Sequence, residues 1–85
     1  SDARLKSDVQ TLRNRGFITP RTYIKDGKRC IGFLAQEVQQ RYPELVTDTG
    51  GADHWLALNY GNLVAVLEAQ IIDHEERIKR LEARK

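Results

Sequence analysis

The C-terminal segment 60–85 reads YGNLVAVLEAQIIDHEERIKRLEARK, and its pattern predicts the longest element of the chain. It contains no Gly after Gly61 and no Pro, so nothing in it breaks a helix. A helix of this length would span about 35–40 Å. Mostly apolar residues recur in this segment at steps of three and four, which is the a and d spacing of a coiled coil. Together they form one stripe along the helix, here called the seam. The seam consists of Val64, Leu67, Ile71, His74, Ile78 and Leu81.

Charged residues flank the seam, and they indicate what kind of surface it meets. Glu68, Glu75 and Glu82 fall at e positions, and Gln70 and Arg77 fall at g positions. An apolar stripe of this width is too narrow for a globular core and too apolar to remain in water. The sequence therefore predicts self-association along the seam. The alternative is that the helix folds back on its own N-terminal part.

The number of associating chains depends on the residues within the seam. β-branched residues at a with Leu at d generally favour two chains. The run from Arg77 to Glu82, however, resembles the Arg-h-x-x-h-Glu element (h apolar) of short trimeric coiled coils, and His74 places a polar group at a d position. We therefore expect a homotrimer. Its predicted interface consists of Val64, Leu67, Ile71, His74, Arg77, Ile78, Leu81 and Glu82.

The segment before the long helix predicts a small α+β region. Leu5, Val9 and Leu12 have the spacing of one face of a short helix, which Ser1 or Asp2 would cap and which would end at 14–16. After Pro20, residues that favour strands flank the dipeptide Asp26-Gly27, which is typical of a tight hairpin turn.

Three further elements are predicted between the first hairpin and the long helix. A short helix over Ala35–Tyr42 should bury Val38 and end at Pro43. Strands at Val46–Asp48 and His54–Leu58 should form a second hairpin. The predicted fold class is thus α+β, a small domain of short helices and β-hairpins followed by a long C-terminal helix that forms a trimeric coiled coil. We place the α+β auto-processing region at 1–59 and the coiled-coil helix at 60–85, within one domain, 1–85.

Composition excludes several functional classes. No apolar run in the 85 residues approaches the roughly 20 that a membrane span needs, so we expect no membrane partner. Cys30, His54 and His74 have no zinc-site spacing, and no phosphate-binding loop is present, so we expect neither a metal nor a cofactor. Residues 1–30 carry eight basic and three acidic side chains, but with two interleaved aromatics we expect a solvated surface rather than a nucleic-acid site.

The first six residues, Ser1-Asp2-Ala3-Arg4-Leu5-Lys6, could carry chemistry. The chain has no Met, so we expect it to be the product of a cut rather than a complete translation product. A serine hydroxyl that follows a scissile bond can attack the preceding carbonyl and exchange the amide for an ester, which water then opens. A lysine serves as the base near neutral pH only if burial or a positive neighbour, for which Arg4 is a candidate, lowers its pKa well below about 10.4.

Four stretches of the sequence together resemble a known family, the self-cleaving intramolecular chaperone domains at the C-termini of phage endosialidases, tail spikes and tail fibres. They are Ser1-Asp2-x-Arg4-Leu5-Lys6, Ile31-Gly32-Phe33-Leu34-Ala35-Gln36-Glu37-Val38, Pro43-Glu44-Leu45-Val46, and Tyr60 with Leu63 and Leu67. Cys30 stands where relatives often have a histidine.

The resemblance implies a cut just before Ser1, with Ser1 as nucleophile and Lys6 as general base. It implies a homotrimer that templates an upstream β-rich stalk or fibre of its own precursor and then leaves it. Assembly would take place in the host cytoplasm, and the precursor would be destined for the phage tail appendage. Gln36 and Glu37 match the motif, as does Arg4, and are candidates for supporting roles. The rival interpretation is a trimerisation and capping module that performs no chemistry.

Overall fold

The computed structural model describes residues 1–84, and these form the predicted α+β arrangement with a long C-terminal helix. Six elements follow one another in the order β1 (Arg21–Lys25), β2 (Lys28–Gly32), α1 (Ala35–Arg41), β3 (Val46–Asp48), β4 (Leu56–Leu58) and α2 (Leu63–Glu82). Short 3-10 turns lie at Ala3–Leu5 and Pro43–Leu45. No helix within the described range is long and apolar enough to cross a membrane.

The first hairpin has the turn that its sequence predicts. β1 and β2 pair antiparallel, with Lys25 opposite Lys28 and a two-residue loop between them. Both loop residues have positive φ, 51° at Asp26 and 75° at Gly27. A two-residue loop of this conformation matches the twist of the strands, and Asp-Gly adopts it readily.

Helix α1 and the second hairpin also follow the prediction. Val38 is completely buried, and α1 gives way to the 3-10 turn at Pro43. β3 pairs antiparallel with β4, from Val46 opposite Leu58 to Asp48 opposite Leu56. The predicted strand His54–Leu58 is therefore shorter at its start.

Helix α2 contributes to the core through its first turns. It begins after Asn62, whose backbone N–H donates to Asn59 Oδ1 over 3.0 Å. Leu63, Val66 and Ala69 are its buried residues. The main hydrophobic cluster contains Ile18, Val38, Tyr42, Leu45, Leu63 and Val66. The predicted helix 60–85 is thus confirmed with a later start and an end at Glu82, and Lys85 lies outside the described residues.

The predicted helix over residues 2–14 is wrong. Only the single turn Ala3–Leu5 forms, capped by the Asp2 side chain, while Leu5 and Val9 remain 85% and 77% exposed. A short isolated helix is marginal in water because its first turn costs more entropy than its few hydrogen bonds return. With Leu5 and Val9 unburied, no tertiary packing supports this helix.

Residues 12–18, here called the strap, instead run as an irregular segment with every second residue turned inward. Leu12, Asn14 and Gly16 are half-buried and Ile18 is buried, whereas the residues between them are exposed. Alternation of this kind is typical of extended backbone. Leu12 packs against the main cluster, so the strap closes one side of the core.

An ion pair fastens the strap to the 3-10 turn that follows α1. Arg15 donates from Nη1 and Nη2 to the two carboxylate oxygens of Glu44, over 2.7 and 2.8 Å. Its guanidinium also lies 5.3 Å from the centre of the Tyr42 ring, and its backbone N–H donates to Tyr42 Oη over 2.9 Å. Hydrogen bonding to Arg15 lowers the pKa of Glu44 to about 2.

The Arg15–Glu44 pair predicts a specific dependence of stability on pH. Because the folded-state pKa of Glu44 is depressed, its contribution to stability is present above pH 4.5 and is lost as the pH falls toward about 2. We expect Glu44→Gln to lower Tm modestly at neutral pH, and the Tm difference from the parent to shrink across that interval. Glu76→Gln, on the exposed part of α2, is the matched control. An undiminished Glu44→Gln difference at pH 2 would contradict the assignment.

Candidate functional site

The N-terminal turn engages Arg4 in an ion pair with Asp2. Asp2 accepts from the Arg4 backbone N–H over 2.9 Å, and from Arg4 Nη2 over 2.6 Å. Hydrogen bonding from the Arg4 side chain lowers the pKa of Asp2. The charge of Arg4, the predicted source of positive potential near Lys6, is therefore partly neutralised in the single chain.

Ser1 and Lys6 lie on either side of this turn, and both are exposed. The Lys6 backbone N–H donates to the Ala3 carbonyl over 3.1 Å and ends the turn. None of the side-chain hydrogen bonds described for residues 1–84 joins Ser1 to Lys6. The Ser1–Lys6 dyad therefore stays a prediction.

The motif Ile31–Val38 has a structural explanation that centres on Gly32. Tyr60 Oη accepts from the Phe33 backbone N–H over 3.1 Å, which ties the end of β2 to the segment that leads into α2. A Cβ atom at Gly32 would lie 2.5 Å from Tyr60 Oη and 2.7 Å from Tyr23 Oη. Hydrogen bonding with Tyr60 raises the pKa of Tyr23. A Cβ at position 32 would therefore force these hydroxyl groups to move, a constraint that no local sequence pattern indicates.

The two polar residues of the same motif, Gln36 and Glu37, differ in their contacts. Glu37 accepts from Arg21 Nε and Nη2 over 3.0 and 2.7 Å, and this pairing lowers the pKa of Glu37. The ion pair joins β1 to α1. Gln36 is exposed and lines an open groove together with Tyr23, Phe33 and Tyr60. Supporting roles for Gln36 and Glu37 in cleavage stay predictions.

The predicted seam lies on a face of α2 that the core does not use. Its apolar members remain 43% to 66% exposed, and they are Val64, Leu67, Ile71, Ile78 and Leu81. His74 is half-buried. The core takes the neighbouring stripe of Leu63, Val66 and Ala69. The alternative in which α2 folds back on its own chain thus holds for its N-terminal half, through a different stripe and through Asp73 and His74, which contact the strap.

Opposite charges border the exposed end of the seam. Glu68, Glu75 and Glu82 are exposed along one side. Arg77, Arg80 and Arg84 surround Leu81 on the other, where they line a shallow hollow. Every residue from 75 to 84 is exposed, so this part of α2 projects from the core.

The strap contacts α2 at a residue of the seam. The Phe17 and His74 rings lie 5.9 Å apart, centre to centre, with their planes tilted by 50°. Asn14 Nδ2 donates to Asp73 Oδ2 over 3.0 Å. The sequence carries no signal for these contacts, since Asn14-Arg15-Gly16 indicates a turn, which Asn14 Oδ1 indeed stabilises by accepting from the Gly16 N–H.

His, Cys, Asp and Glu side chains form no group of three or more that could hold a metal within the described part of the chain. Cys30 is a free, half-buried thiol. Among the described residues the features that remain as candidates for function are the N-terminal turn, the seam and the strap between them.

Comparison with known proteins identifies the N-terminal half of the chain. The model of a peptidase family described as chaperone of endosialidase matches residues 1–47 of the 85. The match covers the N-terminal turn, the strap, the first hairpin and α1, and it confirms the predicted family. No curated protein and no solved structure matches the chain.

The position of Gly32 predicts a steric defect that a second substitution relieves. Gly32→Ala places a methyl group against two hydroxyl groups, and overpacking of this kind typically costs about 1–3 kcal/mol of the free energy of unfolding. Denaturant titration measures the loss. Gly51→Ala is the control, because a Cβ at Gly51 meets open space. In a double-mutant cycle, Tyr60→Phe should reduce the cost of Gly32→Ala, and strict additivity of the two changes would refute the proposed clash.

Proposed function

The chain belongs to the chaperone of endosialidase family, and from this premise we propose that it is an intramolecular chaperone of a phage tail spike or tail fibre. In this proposal three copies associate along the seam, template the folding of the upstream part of their own precursor, and are then released by cleavage before Ser1. The cleavage is a single-turnover reaction within the polypeptide, and it uses no cofactor. It would take place in the host cytoplasm during virion assembly.

The observation that carries the proposal is the unpartnered seam of α2. Five exposed aliphatic side chains form this stripe, on a helix that already buries another stripe in its own core, and an exposed apolar patch of this kind marks a surface for association. Another copy of the same helix fits this surface. The acidic side of one copy would face the basic side of the next.

The charge pattern supports a parallel and cyclic arrangement. In a parallel coiled coil, a g residue faces the e residue five positions later on the neighbouring chain. Arg77 and Glu82 have this relation, and both are exposed in the single chain. Each chain thus offers one donor and one acceptor to different neighbours, which is how a closed ring of three is built. The trimeric number rests on the Arg77–Glu82 element and on His74.

The chemistry proposed for Ser1 balances without a further reactant except water. Ser1 Oγ attacks the carbonyl carbon of the residue before it and gives its proton to the Lys6 amine. The Ser1 nitrogen takes up a proton and leaves as the new α-amino group, so an ester replaces the amide. Water then hydrolyses the ester, which restores the hydroxyl and releases the upstream chain with a free carboxylate.

The exposure of both groups supports a link between cleavage and assembly. A solvated lysine is protonated near neutral pH and cannot accept the serine proton. Lys6 is exposed in the single chain, and packing of a neighbouring chain against the N-terminal turn would supply the burial that activates it. Cleavage would then follow trimerisation and would mark its completion.

A kinetic argument supports a separate chaperone that associates before the upstream fibre folds. Intertwined β-structure requires closure of long loops before any contact stabilises the chain, so such structure folds slowly and exposes aggregation-prone surface. A seam of local helix brings three chains into register first. Once the chaperone has been removed, the fibre cannot retrace the same route, and its persistence is governed by a rate.

One observation favours a second candidate, a trimerisation and capping module without chemistry. Ser1 and Lys6 are not joined by a hydrogen bond within the described residues, and Arg4 is paired with Asp2. A module of this kind would use the same seam and remain attached to its fibre. Processing of a longer precursor separates the two candidates.

Substitution at the N-terminal turn tests the chemistry. In a precursor that carries upstream sequence, Ser1→Ala should leave the chain uncut, because no hydroxyl remains to attack. Lys6→Arg keeps the charge but removes the base, and it should slow cleavage by about 10²-fold or more. Lys28→Ala is the control at an exposed lysine of the first hairpin. Intact-mass spectrometry reports the cut, and release of the same fragment from Ser1→Ala would eliminate the proposed mechanism.

Substitution in the seam tests the assembly. Leu81→Asp should dissociate the particle, since burial of three carboxylates in one layer is costly. Sedimentation should give the parent chain a mass near three times 9.8 kDa. Ile72→Asp is a matched control, because Ile72 is 50% exposed on another face of α2 while Leu81 is 57% exposed. A monomeric parent chain, or dissociation by Ile72→Asp alone, would be incompatible with the seam.

A further inference from the structure

We infer that the strap is the element that couples assembly to cleavage, with Phe17 as a positioning residue for the reaction at Ser1. This inference rests on the proposed function, since it concerns how the trimer would place the N-terminal turn. It follows from three observations on the strap: its rigid anchor at Gly16, the contact of Phe17 with the seam, and the short tether back to Lys6.

Gly16 anchors the strap to both helices. Its carbonyl accepts from Gln70 Nε2 over 3.0 Å and from Tyr42 Oη over 3.4 Å, so one acceptor binds α2 and the end of α1 together. Its φ of +115° is a conformation that other residues rarely adopt, and a Cβ would approach the Arg41 guanidinium carbon to 3.2 Å. The backbone before Phe17 is therefore held in one position relative to α2.

Phe17 lies beside the seam without being covered. Its ring contacts His74, a d residue, yet 71% of the side chain is exposed. His74 lies between Ile71 and Ile78 in the seam, and its ring is in contact with Phe17. A neighbouring helix that packs on these three seam residues would therefore reach the Phe17 ring as well. Assembly would thus bury strap and seam in a single contact.

The tether from the strap to the N-terminal turn is short. Five residues, 7–11, separate Lys6 from Leu12, so Lys6 remains within about 20 Å of the strap even when the tether is fully extended. Asp8 and Gln10 are hydrogen bonded to each other within this tether. Fixing the strap against a neighbouring helix would therefore confine the turn that contains Ser1 and Lys6 to the edge of the subunit interface.

The test measures cleavage of the precursor under conditions in which it is fully assembled. Phe17→Ala should cleave about 10- to 100-fold more slowly than the parent, the scale expected when reacting groups are misplaced by about an ångström. Phe17→Tyr keeps the ring and should restore the rate. Trp55→Ala is the matched control, because Trp55 is 72% exposed in the loop that leads into β4. Sedimentation on the same samples confirms that each variant is assembled.

A second variant tests the other side-chain contact between the strap and α2, the hydrogen bond from Asn14 to Asp73. Asn14→Asp sets a carboxylate against Asp73, which should release the strap from α2 and slow cleavage without dissociating the trimer. Parent-like cleavage of assembled Phe17→Ala overturns the inference. Recovery of the Phe17→Ala rate at higher protein concentration also overturns it, since the ring would then only strengthen association. An assembled parent precursor that is never cut would instead refute the proposed function, and with it the inference.

Discussion

The structure depends on the use of two adjacent stripes of one helix. Leu63, Val66 and Ala69 of α2 are buried, the first two in the cluster that also holds residues of α1 and the strap, and the neighbouring stripe of aliphatic residues is left in solvent. A domain of 85 residues buries a limited fraction of its surface on folding, so its core gives it only marginal stability. If another copy covers the seam, as proposed, folding and association are linked, and the measured stability should depend on protein concentration.

Helix α2 lies outside the residues 1–47 that the family match covers, but its contacts join it to that part of the chain. Tyr60 bonds to Phe33 just before α2 begins, and Gly32 provides the space for its hydroxyl group. The strap bonds to α2 from the other side, through Asn14 and Gly16. The family match ends at residue 47. A displacement of α2 would therefore alter the contacts of both the first hairpin and the strap, which leads back to Ser1.

Most of the regular structure was predictable, because it follows from local chemistry. Asp26-Gly27 specifies its hairpin turn, Pro43 ends α1, and the uninterrupted run after Gly61 specifies α2. The N-terminal helix was the failure. Leu5, Val9 and Leu12 have helical spacing, but spacing produces a helix only where a surface is present to bury it, and here Leu12 alone reaches the core.

Residue types and their spacing were enough to predict the α+β class, the turns, the long helix, its seam and the family. Each of these is encoded in residue types at short separations, where backbone preference and periodicity act directly. Only the folded chain shows which stripe of α2 enters the core, why a side chain at position 32 would displace two tyrosine hydroxyl groups, and that residues 12–18 lie along α2 with Phe17 on His74. Those outcomes depend on tertiary contacts, several of them between residues far apart in the chain, such as Tyr60 with Phe33 at 27 positions and Asn14 with Asp73 at 59 positions. No local pattern carries them, because their energy exists only once the chain has folded.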